Sequence, residues 1–139
     1  MTEDFREATS GPVTEDFWEA TRRRLLVVQR CLACGRRQHY PRWLCTACGG
    51  TELEYAPVSG LGVVDSFTVV HRAPAPGFEP PYTVARVRLA EGPILLTHLV
   101  GDTDWACDLP VRVAWRPLPD GRHLPVFRPA RDWPRAPGK

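Results

Sequence analysis

Four of the five cysteines in this 139-residue sequence lie between Cys31 and Cys48, as two Cys-x-x-Cys-Gly pairs with ten residues between them. A zinc ion takes four soft ligands in a tetrahedron, with sulfur at about 2.3 Å. Each Cys-x-x-Cys turn supplies two thiolates from one tight loop, and the Gly that follows lets the backbone turn with its amides facing the sulfurs. Cys31, Cys34, Cys45 and Cys48 make a full ligand set, and the spacing predicts one structural zinc ion in a zinc ribbon. Four protein ligands leave the ion no open position, so it is not expected to act as a Lewis acid. A redox role would need one such pair between a strand and a helix; here two pairs sit among strand-like segments. His39, between the pairs, is expected as a surface or strand residue and not as a ligand. Cys107 stands alone in "GDTDWACDLP". No spacing links it to His71, His98 or His123 as a nucleophile and base, and it is expected to be a half-buried structural thiol.

Charge is distributed unevenly around this cluster. Residues 1–19 hold six acids and one arginine, whereas residues 20–50 hold seven arginines and no acid. Four thiolates on a divalent ion carry a formal charge of −2, which nearby arginines offset; the surplus suggests an interaction surface or an internal pairing of the two segments. The whole chain has a formal net charge of only +2, so no polyanionic partner follows from charge alone. No stretch approaches the roughly 18 apolar residues of a membrane span. The acidic N-terminus has no apolar core of a signal peptide, so the expected location is cytoplasmic, where thiols stay reduced and paired cysteines hold metal.

The elements that must position the cysteines are mainly β. "TEDFREAT" at Thr2–Thr9 recurs as "TEDFWEAT" at Thr14–Thr21, with "SGPV" between the copies. The second copy, with a Thr suited to an N-cap and acids in the first turn, predicts a helix over about 14–24. The first copy is expected to fray. "LLVVQR" reads as a strand entering the first Cys pair, "RQHYPR" returns between the pairs, and "TELEYAPV" leaves the second. From Val58 onward, "SGLGVVDSFTVVHR", "YTVARVRLA", "PILLTHLV", "PVRVAWRPL" and "HLPVFRP" are five strand candidates, rich in β-branched and aromatic residues and punctuated by Gly and Pro. Val84, Arg86 and Arg88 alternate with Ala85, Val87 and Leu89; "PDG" at Pro119–Gly121 marks a tight turn. Five short strands of this kind fit an OB-fold barrel. The expected division is an acidic segment and helix (1–24), a zinc ribbon (25–57), the barrel (58–129) and a flexible tail (130–139).

These segments together resemble the zinc-ribbon/OB-fold proteins that accompany thiolase-like acyl-CoA enzymes, long called a domain of unknown function. The resemblance runs from about Phe17 to Pro129. It is carried by "FWEA", by "LLVVQRCLACGRRQHYPRWLCTACGG", by "GLGVVDSFTVVHRAPAPGF", by "PYTVARVRLAEGPILLTHLVG" and by the closing "DGRHLPVFRP". The family's usual Ile-Gly-Met before the fourth barrel strand is replaced by "ACDLP" at Ala106–Pro110. The resemblance implies a rubredoxin-like ribbon and an accessory subunit in a hetero-oligomer with a thiolase-fold acyltransferase or aldolase, or sometimes a hydratase. It further implies help with binding or channelling acyl-CoA, in lipid, polyketide or steroid settings, while the partner makes or breaks the C–C bond.

Read from the residues themselves, the chain offers no Ser/His/Asp set, no paired carboxylates at strand ends and no phosphate-cradling Gly loop, and so is not expected to be catalytic alone. Arg36, Arg37, Tyr40, Arg42 and Trp43 are candidates for contact with CoA or a partner, because arginine forks suit phosphates and stack on bases. Phe17, Trp18, Pro76 and Phe78 are candidates for a partner interface; the alternative folds Trp18 and Phe78 back onto this chain. A second reading is nucleic-acid binding, since ribbons and OB-folds both occur there. Against it, the arginines cluster on the ribbon and not along the barrel.

Overall fold

β-Branched and apolar runs become strand wherever a face can be covered, and the chain builds two sheets in this way. A computed structural model describes residues 13–130. One helix, α1 (Glu15–Thr21), precedes three ribbon strands, β1 (Val27–Cys31), β2 (Arg37–Gln38) and β3 (Leu53–Pro57). Five more strands follow: β4 (Leu61–Val70), β5 (Tyr82–Leu89), β6 (Ile94–Leu99), β7 (Pro110–Pro117) and β8 (His123–Pro129). The ribbon sheet runs β2-β1-β3, all antiparallel. The other five close a barrel in the order β4-β5-β6-β8-β7, with β4 also paired to β7 and β6 meeting β8 in parallel. This is the mainly β architecture of helix, ribbon and OB-fold barrel that the sequence predicts.

The barrel interior follows the alternation. Ala85, Val87 and Leu89 on β5 are buried, while Arg86 and Arg88 between them face solvent and reach Asp65 at 3.7 and 2.9 Å. Strand β4 is ten residues long and pairs first with β7 and then along β5. An irregularity between Val64 and Ser66 bends it to serve both neighbours. "PDG" is the expected turn, closed by the Gly121 N–H on the Leu118 carbonyl at 3.1 Å.

Helix α1 is shorter than its expected span of about 14–24. The Leu25 N–H reaches the Ala20 carbonyl at 3.2 Å and the Arg24 N–H reaches Thr21 at 2.9 Å, with Arg24 at φ 55°. This paired closure with a left-handed residue ends the helix, here with Arg in the place where Gly is usual. Thr14 occupies the N-cap position without a side-chain capping bond. Phe17, Ala20 and Thr21 are buried, and Phe17 and Ala20 share one core with Leu26, Val27 and Val28 of the ribbon and Val64, Val87 and Phe127 of the barrel. The Thr21 Oγ1 accepts from the His123 N–H at 3.2 Å, and Arg22 Nη1 donates to the Asp120 carbonyl at 2.7 Å. One short helix thus ties the ribbon to the β7–β8 turn. The first repeat copy, expected to fray, and the tail beyond residue 130, expected to be flexible, lie outside the described residues.

Candidate metal centre and its surroundings

The two Cys-x-x-Cys turns are built alike. In the first, the Cys31 N–H reaches the Arg36 carbonyl at 2.9 Å and the Gly35 N–H reaches the Cys31 carbonyl at 2.8 Å. In the second, Cys45 bonds to the Gly50 carbonyl at 2.8 Å and Gly49 to the Cys45 carbonyl at 2.9 Å. Gly35 and Gly49 take φ 78° and 77°, a left-handed turn that a side chain would strain. These turns bring the four Sγ atoms within 4.8 Å of one another. Cys31 Sγ lies 3.7 Å from Cys48 Sγ, and Cys34 Sγ lies 3.6 Å from Cys45 Sγ. A tetrahedron with 2.3 Å metal–sulfur bonds has edges of about 3.8 Å, so the donor set fits one four-coordinate thiophilic ion.

Backbone amides prepare these sulfurs for ionisation. The N–H groups of Cys48 and Ala47 lower the Cys45 thiol to about 6, and the Cys34 N–H is the first cause that lowers Cys31. Cys48 moves the other way, to about 11: the Gly50 N–H lowers it, but the neighbouring thiols of Cys31, Cys34 and Cys45 together with burial outweigh that amide. A cluster that holds some thiols protonated by mutual proximity can ionise fully only when a cation sits among them. Cys31 and Cys45 are buried, while Cys34 and Cys48 are exposed.

His39 is not part of the ligand group. Its ring lies 5.1 Å from Phe17 and 4.3 Å from Tyr40, and burial lowers it to about 4. Cys107 is exposed, where a half-buried thiol was expected, because it sits in the loop between β6 and β7 outside the barrel wall.

The sequence reading missed two glutamines. Gln29 on β1 and Gln38 on β2 are directly paired and only 4% and 7% exposed. The Gln38 Nε2 donates to Gln29 Oε1 at 2.8 Å and to the Leu44 carbonyl at 3.1 Å. Gln29 Oε1 also accepts from the Arg42 N–H at 2.8 Å, and its Nε2 donates to the Arg42 carbonyl at 2.8 Å. The Thr46 N–H reaches Gln38 Oε1 at 3.0 Å. Together the two amides fix the backbone that leads into Cys45. The only signal in the sequence was a Gln on each side of the first Cys pair.

Among the other candidates, Arg36, Arg37, Tyr40, Arg42 and Trp43 are all exposed, with Trp43 at 69%. Phe17 is 5% exposed, inside this chain's own core. Trp18 is half-buried, edge-on to Phe17 at 5.1 Å and beneath the Arg122 guanidinium at 5.4 Å. Phe78 is half-buried, stacked on Tyr82 at 5.5 Å and tilted to His98 at 6.5 Å; Pro76 is exposed.

Residues 18–54 match the family model described as the ChsH2 rubredoxin-like zinc ribbon domain, and residues 55–116 match the ChsH2 C-terminal OB-fold domain. The chain belongs to the ChsH2-type (DUF35) zinc-ribbon and OB-fold family. It is 43% identical over 117 residues to a "Probable enoyl-CoA hydratase alpha subunit" of Thermomonospora curvata, covering 82% of this chain and 37% of that protein. It is 32% identical over 100 residues to the "Benzoylsuccinyl-CoA thiolase subunit BbsA" of Geobacter metallireducens, covering 70% of this chain and 67% of BbsA. The fold is similar to a chain of the solved "Ltp2-ChsH2(DUF35) aldolase", with TM-score 0.80 and 38% identity over 86% of this chain and 96% of that one. This ChsH2-type chain therefore spans little more than a third of the length of the hydratase subunit it matches. No helix among the described residues is long and apolar enough to cross a membrane.

Proposed function

We propose that this chain is a non-catalytic accessory subunit that docks onto a thiolase-like acyl-CoA enzyme and supports acyl-CoA binding or channelling while the partner forms or cleaves a C–C bond. The observation that carries this reading is the match of both halves to one family, in which similar proteins are named as a thiolase subunit and as a component of an aldolase. The metal centre agrees with it. Four thiolates close the coordination sphere, so the ion, which we take to be zinc, holds the ribbon and leaves no position for substrate. Cytoplasmic location belongs to the same proposal, since unpaired thiols in this number suit a reducing compartment.

Contact with partner or CoA falls to the exposed ribbon residues Arg36, Arg37, Tyr40, Arg42 and Trp43. Pro76, and the accessible parts of Trp18 and Phe78, form a second candidate surface. Nucleic-acid binding is less well supported, because Arg86 and Arg88 on the barrel are both engaged by Asp65. The test is to co-express the chain with the thiolase-like protein of the same gene cluster. Co-purification, with thioester turnover above that of the partner alone, is expected, and the isolated chain should turn over no acyl-CoA. Turnover by the isolated chain that survives Cys107→Ala would place an active site here and overturn the proposal.

A further inference from the structure

Eight large apolar side chains are notably exposed among the described residues, and four of them lie in the stretch Cys31–Cys48 that carries the cysteine cluster: Leu32 at 57%, Tyr40 at 50%, Trp43 at 69% and Leu44 at 48%. Leu32 sits in the first Cys-x-x-Cys turn and Leu44 directly precedes the second, so the cysteine cluster holds both ends of this surface together. We infer that this surface docks a protein subunit by inserting Trp43 into an apolar pocket rimmed by carboxylates. The inference rests on the accessory-subunit reading and names the site through which that subunit is gripped.

The strongest reason is the backbone around Trp43. Arg42 has both its N–H and its carbonyl bonded to the Gln29 amide, each at 2.8 Å, and the Leu44 carbonyl is bonded to Gln38. Two buried amides therefore fix the residues before and after an indole that is itself 69% exposed. Such an arrangement removes backbone freedom that would otherwise be lost on binding, which is how pre-organised anchors gain affinity. Large aromatic side chains in this setting dominate interfaces.

Charge selects the occupant. Arg36, Arg37 and Arg42 are exposed and form no ion pair among the described residues, and no acid lies anywhere in residues 20–50. A complementary surface is apolar at its centre and acidic at its edge. CoA would satisfy the arginines through its phosphates but would leave Leu32 and Leu44 exposed, so a protein pocket accounts for more of the surface.

The experiment compares Trp43→Ala, the double change Arg36→Glu with Arg37→Glu, and Leu96→Ala. Leu96 is 61% exposed on the barrel and serves as the control. Affinity for the co-expressed thiolase-like subunit is measured by titration at two salt concentrations, alongside metal content and melting midpoint. Trp43→Ala should weaken association by about 30-fold or more, the magnitude expected of an interface hot spot. The charge reversals should slow association and flatten its salt dependence. Leu96→Ala should do neither, and all three variants should keep their metal and their melting midpoint. Association within about threefold of wild type for Trp43→Ala overturns the inference while leaving the accessory role intact, as do equal losses from Trp43→Ala and Leu96→Ala. Saturable binding of CoA to the isolated chain, abolished by Trp43→Ala with subunit association unchanged, overturns it in favour of a nucleotide site. If the wild-type chain itself fails to associate, the accessory role falls as well.

Discussion

His39 has the right chemistry for a metal ligand and the wrong address. It lies between the cysteine pairs, yet its ring is packed against Phe17 and Tyr40, and burial lowers it from 6.5 to about 4. The folded ring stays neutral in the range where the unfolded ring takes up a proton. Its contribution to stability is therefore complete above pH 6.5 and is lost as the pH falls toward 4. His39→Phe keeps a ring in the same place and removes the proton. Urea midpoints at several pH values should show the variant gaining on the wild type as the pH falls, by up to about 3 kcal/mol near pH 4.5. The cysteine cluster also titrates on acidification, but it is identical in both proteins and cancels in the comparison. A difference independent of pH would mean that the ring is solvated in the folded chain.

At the scale of elements, the ribbon is held by the cysteine cluster on one side and by two glutamines on the other. Gln38→Ala would leave the Leu44 carbonyl and the Thr46 N–H without their side-chain partner. Fully buried groups left unsatisfied cost about 1–3 kcal/mol, and these part-buried ones fall at the lower end of that range. The expected result is a fall of that size in unfolding free energy and faster loss of metal to a chelator, and unchanged values would show that water replaces the amide. Strand β5 was legible from its alternation, with Arg86 and Arg88 exposed against buried Val87 and Leu89, whereas β8, with Pro125, Val126 and Phe127 all buried, was found from its β-branched and aromatic residues. Strand β1 shows no such alternation, since four of its five residues are buried. It was found from its β-branched residues and its position before Cys31. The glutamines were not legible, because a polar residue in a strand reads as outward-facing unless its partner is known, and Gln38 lies nine residues from Gln29. The end of α1 was misplaced because Arg24 adopts the turn that Gly would have announced. The clustering of the four cysteines was legible, because each Cys-x-x-Cys-Gly turn already brings two sulfurs together.

For the molecule as a whole, ribbon and barrel are distinct in sequence and continuous in packing. The barrel closes its own hydrogen bonds, whereas the ribbon has only two-residue β2 and five-residue β1 and β3 to oppose unfolding. Removing the metal with a chelator should therefore abolish amide-exchange protection across residues 31–50 while β5 and β6 stay protected. Uniform loss over the whole chain would show that the shared core makes the two halves a single cooperative unit. That core has a further consequence through α1. Thr21 and Arg22 hold the β7–β8 turn, while Phe17 lies against His39 of the ribbon. Two modules on a loose tether would each surrender rotational freedom on joining a larger assembly. Here both halves are keyed to the same seven-residue helix, so holding the ribbon in place would also set the heading of the barrel and of the β4–β5 loop that carries Pro76 and Phe78.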